Sequence, residues 1–169
     1  PHFLYLALRE SDFNPMAIGK MTRYGCAKGM WQFIAPTGGR YGLRIGPQRD
    51  RGVYDPLDER FSPEKSTRAA ARYIKDLVTT EAQASGLLVM ASYNWGEDNV
   101  RQTIAAMPQN PRDRNFWRLL VNKKVPDETY EYVLSIVAAA VICENPRLFG
   151  AGAECPDLDA LAAQRPSGS

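Results

Sequence analysis

The sequence is poor in the groups that many catalytic schemes require. Only one of its 169 residues is histidine, His2, which argues against Ser-His-Asp and Cys-His centres and excludes a paired-histidine zinc site. The three cysteines, Cys26, Cys143 and Cys155, are too few and too widely spaced for a zinc cluster. No glycine-rich loop of the phosphate- or dinucleotide-binding type is present. Lysine and arginine number 21 against 19 acidic residues, and a net charge of +2 leaves no footprint for nucleic acid. The longest stretches free of charge, Ala82 to Gly96 and Tyr132 to Cys143, fall well short of the roughly 20 residues a membrane span needs. Arg9 and Glu10 come too early for a signal peptide, and the chain opens inside an apolar helical pattern, as a fragment of a longer protein would. What remains for chemistry is carboxylates, hydroxyls, amides and aromatics.

The length fits one domain, and 44% hydrophobic with 24% charged residues is a globular composition. Helical spacing dominates. Phe3, Leu4, Ala7 and Leu8 form a short stripe that ends at Glu10-Ser11, and Asn14-Pro15 breaks it because the residue before proline leaves the α region. Gly29 to Ile34 is a second short apolar segment, closed by Pro36, Gly38 and Gly39. Residues 41–63 carry several glycines and prolines without a period and read as a long loop of functional type. Ser66 is the expected N-cap of a helix with the stripe Ala70, Tyr73, Ile74, Leu77, Val78. Leu87 to Ala91, apolar all round, is the expected central helix. Another helix follows Gly96, and the last major one starts at Pro126 with Asp127 and Glu128 in its first turn. Pro108 and Pro111 mark a surface loop between them. With no strand in this reading, the expected fold is all-α: residues 1–150 as one domain and 151–169 as a frayed tail or linker.

Four segments carry the chemistry: Arg9-Glu10-Ser11-Asp12-Phe13-Asn14-Pro15, Gly25 to Phe33, Ser66 to Ile74, and Ala91-Ser92-Tyr93-Asn94-Trp95-Gly96. In this order they resemble the soluble-lytic-transglycosylase (SLT, goose-lysozyme-like) domain of peptidoglycan-cleaving enzymes. Gly-Met-Trp-Gln-Phe is closest to the membrane-bound D-type branch, and the resemblance covers roughly residues 3–149. It implies a single lysozyme-like helical domain with a glycan-binding groove, peptidoglycan strands as partner, no nucleic acid, no cofactor or metal, and a monomer in the periplasm or cell envelope. Other domains of a longer parent, and outer-membrane anchoring through its N-terminal part, belong to the same expectation.

Breaking a glycosidic bond needs a proton donor whose pKa is raised by apolar surroundings. Glu10 is delivered by an apolar helix into a turn, and Phe33 and Tyr93 are candidates for desolvating it. Most glycosidases add a second carboxylate, but Asp12, two positions on, points away if the helix continues. The resemblance implies that Glu10 alone serves as acid and then as base. The attacking group is then the substrate's own C6 hydroxyl, which closes a 1,6-anhydro-N-acetylmuramic acid ring after cleavage of the β-1,4 bond to N-acetylglucosamine.

By the same resemblance Ser11 orients the carboxylate, while Gln32, with two donors and two acceptor sites, meets the sugar amide. Met30 and Phe33 line the groove, and Thr22 stands at a saccharide-contacting serine position. Tyr93 meets Glu10 or the acetamido group, Asn94 ties the helix end to the backbone, and Glu128 and Tyr132 approach the glycan beside the cleavage point. Since an envelope compartment oxidises thiols, a Cys143–Cys155 bridge is expected, with Cys26 free. Two readings compete. One is a goose-type lysozyme with the same acid but water as nucleophile; the other is a weakly active peptidoglycan-binding module of an envelope-spanning or phage assembly.

Overall fold

The computed structural model describes residues 2–80, 82, 85–110, 112–121 and 124–150. Where the sequence has a sustained period of 3.6, the structure is helical. The helices are α1 (Leu4–Ser11), α2 (Ala35–Arg40), α3 (Pro63–Val78), α4 (Gly86–Trp95), α5 (Glu97–Ala105), α6 (Phe116–Val121), α7 (Asp127–Glu144) and α8 (Pro146–Phe149). The stripe of α3 buries Ala70, Tyr73, Ile74 and Leu77 as spaced, while Val78 at its end is exposed. The central α4 packs against α3, α5 and α7, and α1 lies along α7. Leu6, Leu77, Leu88, Val100, Phe116 and Ile136, each at most 1% exposed, form the core between them. Each such side chain contributes about 1.5–3 kcal/mol through removal from water.

Four local expectations are corrected. First, Ile18–Thr22 (β1) and Gly25–Lys28 (β2) pair antiparallel, with Thr22 opposite Gly25, Met21 opposite Cys26, Ile18 opposite Lys28, and an irregularity between Ile18 and Met21. The turn is Arg23-Tyr24, with Gly25 at φ 95°. Second, α3 is capped by Ser62, whose side chain accepts from the Lys65 amide with Pro63 in the first turn; Ser66 is buried and donates back to the Ser62 carbonyl at 2.7 Å. Third, Gly38 and Gly39 do not close a segment but lie inside α2, where Pro36 occupies the first turn. Fourth, α6 lies in the stretch read as a surface loop and buries Phe116 and Leu119. The last major helix, α7, begins one residue after Pro126, which serves as its cap.

The long segment 41–63 is pinned rather than free. Arg60 and Asp58 are buried and meet at 2.6 Å. Arg60 also donates to the carbonyls of Cys26, Phe33 and Arg49. Lys28, fully buried, reaches the Gln48 and Val53 carbonyls at 2.7 and 3.1 Å. Buried charges persist only when so satisfied. The segment therefore acts as a buttress for the hairpin. Cys26 is free and buried, and Cys143 is disulfide-bonded. Its expected partner, Cys155, lies with the whole tail 151–169 outside the described residues.

Candidate active site

The end of α1 presents Glu10. Its helix stops there because Asp12 and Phe13 both take positive φ, 51° and 58°. A third non-glycine residue of this kind is Gln32, at φ 48°. Left-handed backbone is strained for a residue with a side chain, and such strain gathers at functional sites. All three positions belong to two of the sequence segments singled out above, and the chain crosses between those segments by direct bonds. Ser11 Oγ donates to the Met30 carbonyl at 2.8 Å, so it fastens α1 to the 29–33 turn instead of orienting the carboxylate. Gly29 sits so close to the Arg60 carbonyl that any Cβ would collide with it, and its own φ is 77°.

Glu10 as a whole is half-buried, while its carboxyl is crowded by protein atoms. Burial pushes its pKa up from the ordinary 4.5 to about 7, opposed by the Tyr132 hydrogen bond and by the nearby Arg9 charge. Tyr132 Oη donates to Glu10 Oε1 at 2.6 Å, joining residues 122 positions apart. Tyr132 itself is 3% exposed, and burial, then the Glu10 charge, holds its hydroxyl well above the usual tyrosine range. A carboxyl near 7 can both give and take a proton at neutral pH.

The other expected residues divide into groups. Tyr93 is half-buried, and its hydroxyl donates to the Trp31 carbonyl at 2.9 Å, not to Glu10. Burial and then the Glu10 charge raise its pKa, so the two groups interact electrostatically without a hydrogen bond between them. Phe33 is a core residue, its ring centroid 6.4 Å from Tyr93 and 6.3 Å from Tyr73. Asn94 does not reach backbone; its Oδ1 accepts from Thr129 Oγ at 2.8 Å and locks α4 to α7. Gln32 Nε2 donates to the Gly29 carbonyl at 2.8 Å, and its Oε1 lies against Gly19 of β1. Met30 is half-buried against the core. Thr22 is exposed and its hydroxyl closes the hairpin turn by donating to the Gly25 carbonyl at 3.0 Å. Glu128 is exposed on the first turn of α7, four residues before Tyr132.

Thr129, which the resemblance pairs with Glu128 beside the glycan, is instead buried against Asn94, and sequence reasoning missed the roles of Arg9 and Ser135. Arg9 Nε donates to Ser135 Oγ at 2.8 Å, and its guanidinium lies 5.5 Å from the Tyr132 ring centre. The signal for Arg9 was its place beside Glu10; Ser135 gave none. Two hollows lie away from the acid and contain none of the expected residues. One, of about 840 Å³, lies between α2, α3 and α5, with the charged side chains of Arg40, Arg72, Lys75, Asp76 and Glu97 in its wall. The other, of about 490 Å³, is apolar and is lined by Phe3, Leu87, Met90 and Ile136.

A helical domain that brings one desolvated carboxyl, a tyrosine donor and a strained turn together has a counterpart among known families. The profile described as "Transglycosylase SLT domain" matches residues 1–116, and the chain belongs to that family. Membrane-bound lytic murein transglycosylase D of Escherichia coli K12 is 32% identical over 145 residues, covering 86% of this chain and 28% of the relative. The protein of the same name from E. coli O6:H1 matches to the same extent. The chain thus spans less than a third of the length of these relatives.

Proposed function

We propose that residues 1–150 form the catalytic domain of a peptidoglycan lytic transglycosylase that acts in the cell envelope with Glu10 as its single acid/base. The observation that carries the reading is the half-buried Glu10 carboxyl, titrating at about 7 and held by the Tyr132 hydroxyl. Among the described residues no carboxylate figures in the forces that act on it. Protonated Glu10 gives its proton to the oxygen leaving C1 of N-acetylmuramic acid, and the C1–O4 bond breaks. The resulting carboxylate keeps the Tyr132 hydrogen bond. It then accepts the proton of the C6 hydroxyl as O6 bonds to C1, which closes the 1,6-anhydro ring and restores the acid. An intramolecular hydroxyl carries an effective molarity that reaches about 10⁵ M or more, so it competes with water without a dedicated base.

The side chains with polar or flexible groups to offer the sugars are Gln32, Met30 and Glu128, with Thr22 at the hairpin end. Ser11, Phe33, Tyr93 and Asn94 hold the frame against which the glycan lies. The domain acts as a monomer within a longer parent protein. No helix among the described residues is long and apolar enough to cross a membrane. Zymography on purified sacculi tests the assignment. Wild-type protein is expected to clear the gel, and folded Glu10→Gln, which keeps shape but cannot transfer the proton, to leave it opaque. Clearing by Glu10→Gln at the wild-type rate overturns the assignment.

A further inference from the structure

Arg9 precedes the acid on α1, yet its side chain is tied to a different helix. Its Nε donates to Ser135 Oγ at 2.8 Å and its guanidinium lies 5.5 Å from the Tyr132 ring centre. Ser135 donates onward to the Tyr132 carbonyl at 2.8 Å, and Tyr132 Oη closes the circuit on Glu10 at 2.6 Å. Four side chains from two helices therefore form one loop: Arg9 and Glu10 adjacent on α1, Tyr132 and Ser135 one turn apart on α7. A guanidinium near an aromatic ring is attracted to it electrostatically, and its planar fork fixes direction better than a lysine ammonium does.

We propose that Arg9 is a positioning residue: it clamps the Tyr132 ring against α7 and so fixes the hydroxyl that holds the Glu10 carboxyl. The proposal rests on Glu10 being the acid. Its consequences are specific, because the groups that interact electrostatically with Glu10 are Tyr132 from α7, Tyr93 from α4 and Arg9 from its own helix. Both the Arg9 charge and the Tyr132 hydrogen bond favour the ionised carboxylate, against burial. Loss of Arg9 weakens both, so the two effects on Glu10 have the same sign.

The test is an NMR titration of the Glu10 side-chain carboxyl in the full chain, beside the pH profile of cleavage on isolated glycan strands. In Arg9→Met the Glu10 midpoint is expected to rise by about half a pH unit, the alkaline limb of kcat/KM moving with it. Turnover falls several-fold with KM little changed, as loss of orientation requires. Arg9→Lys restores most of the midpoint but not the turnover, since it keeps the charge and lacks the fork. Ser135→Ala leaves the charge in place, and is expected to lower turnover with a smaller movement of the midpoint; it carries the test should Arg9→Met fail to fold. An unchanged midpoint and unchanged turnover in folded Arg9→Met, or unchanged turnover in Ser135→Ala, overturns the clamp. The titration is read without substrate, so it stands apart from the assignment of Glu10: full cleavage by Glu10→Gln would remove the acid, whatever Arg9→Met shows.

Discussion

At Glu10, burial acts against the ionised form, while Tyr132 and Arg9 act for it, and burial prevails. That balance has a cost in stability with a definite sign. Between 4.5, where the unfolded chain releases this proton, and about 7, where the folded protein does, the folded state binds more protons than the unfolded. Stability from this group is therefore complete below pH 4.5, falls as pH rises through that window, and levels off above about 7. The full difference corresponds to about 3 kcal/mol at most. Replacement by glutamine removes the ionisation. Glu10→Gln is thus expected to be more stable than the wild type at pH 8 by about 1–3 kcal/mol, with the gap closing at pH 4. Urea unfolding at the two pH values measures it; an equal gap at both would mean that Glu10 is not desolvated in the folded protein.

At the scale of elements, the hairpin and the segment 41–63 stand or fall together on buried charge. Arg60 binds Asp58 and three backbone carbonyls of the hairpin, the 33 turn and the loop. Arg60→Met leaves the Asp58 carboxylate buried without its partner, which typically costs 3–5 kcal/mol and, in a domain of this size, lowers Tm by about 10 °C. A melt within 2 °C of wild type, the order of a surface change, would show that the loop is held by packing alone. This buttress could not be read from the sequence, because Lys28, Asp58 and Arg60 look like surface charges until the fold encloses them. The hairpin was hidden for a related reason: its strands are four and five residues long, its turn lacks an Asn-Gly signal, and Gly25 is the sole hint. By contrast α3, α4 and α7 were legible, since ten or more residues of helical spacing outweigh uncertainty at their ends. The capping error of four residues, Ser62 against Ser66, arises because both serines stand ahead of the apolar stripe, while the first-turn proline follows Ser62 alone. Within the site, motif resemblance brought out Glu10, Tyr93 and Tyr132. The direction of each hydroxyl was not legible, since Ser11, Tyr93 and Tyr132 choose partners 19, 62 and 122 residues away.

Across the whole molecule, the working unit extends past the family match. That match ends at residue 116, whereas the tyrosine that holds the Glu10 carboxyl belongs to α7, and Asn94 of α4 is fastened to Thr129 of the same helix. α7 is thus the second wall of the site and the long strut along which α1 packs. In this arrangement the Glu10 carboxyl at the end of α1 meets one donor from α7, and among the described residues no second carboxylate acts on it; the proposed mechanism accordingly takes its nucleophile from the substrate. Two-carboxylate glycosidases, which activate water or form a covalent intermediate, give sugars with a free reducing end. The direct test is mass spectrometry of a sacculus digest after borohydride treatment. The account predicts muropeptides ending in 1,6-anhydro-N-acetylmuramic acid, about 20 Da lighter than their reduced hydrolytic counterparts, which a two-carboxylate enzyme would release instead. Reduced muramitol ends throughout the digest would contradict it.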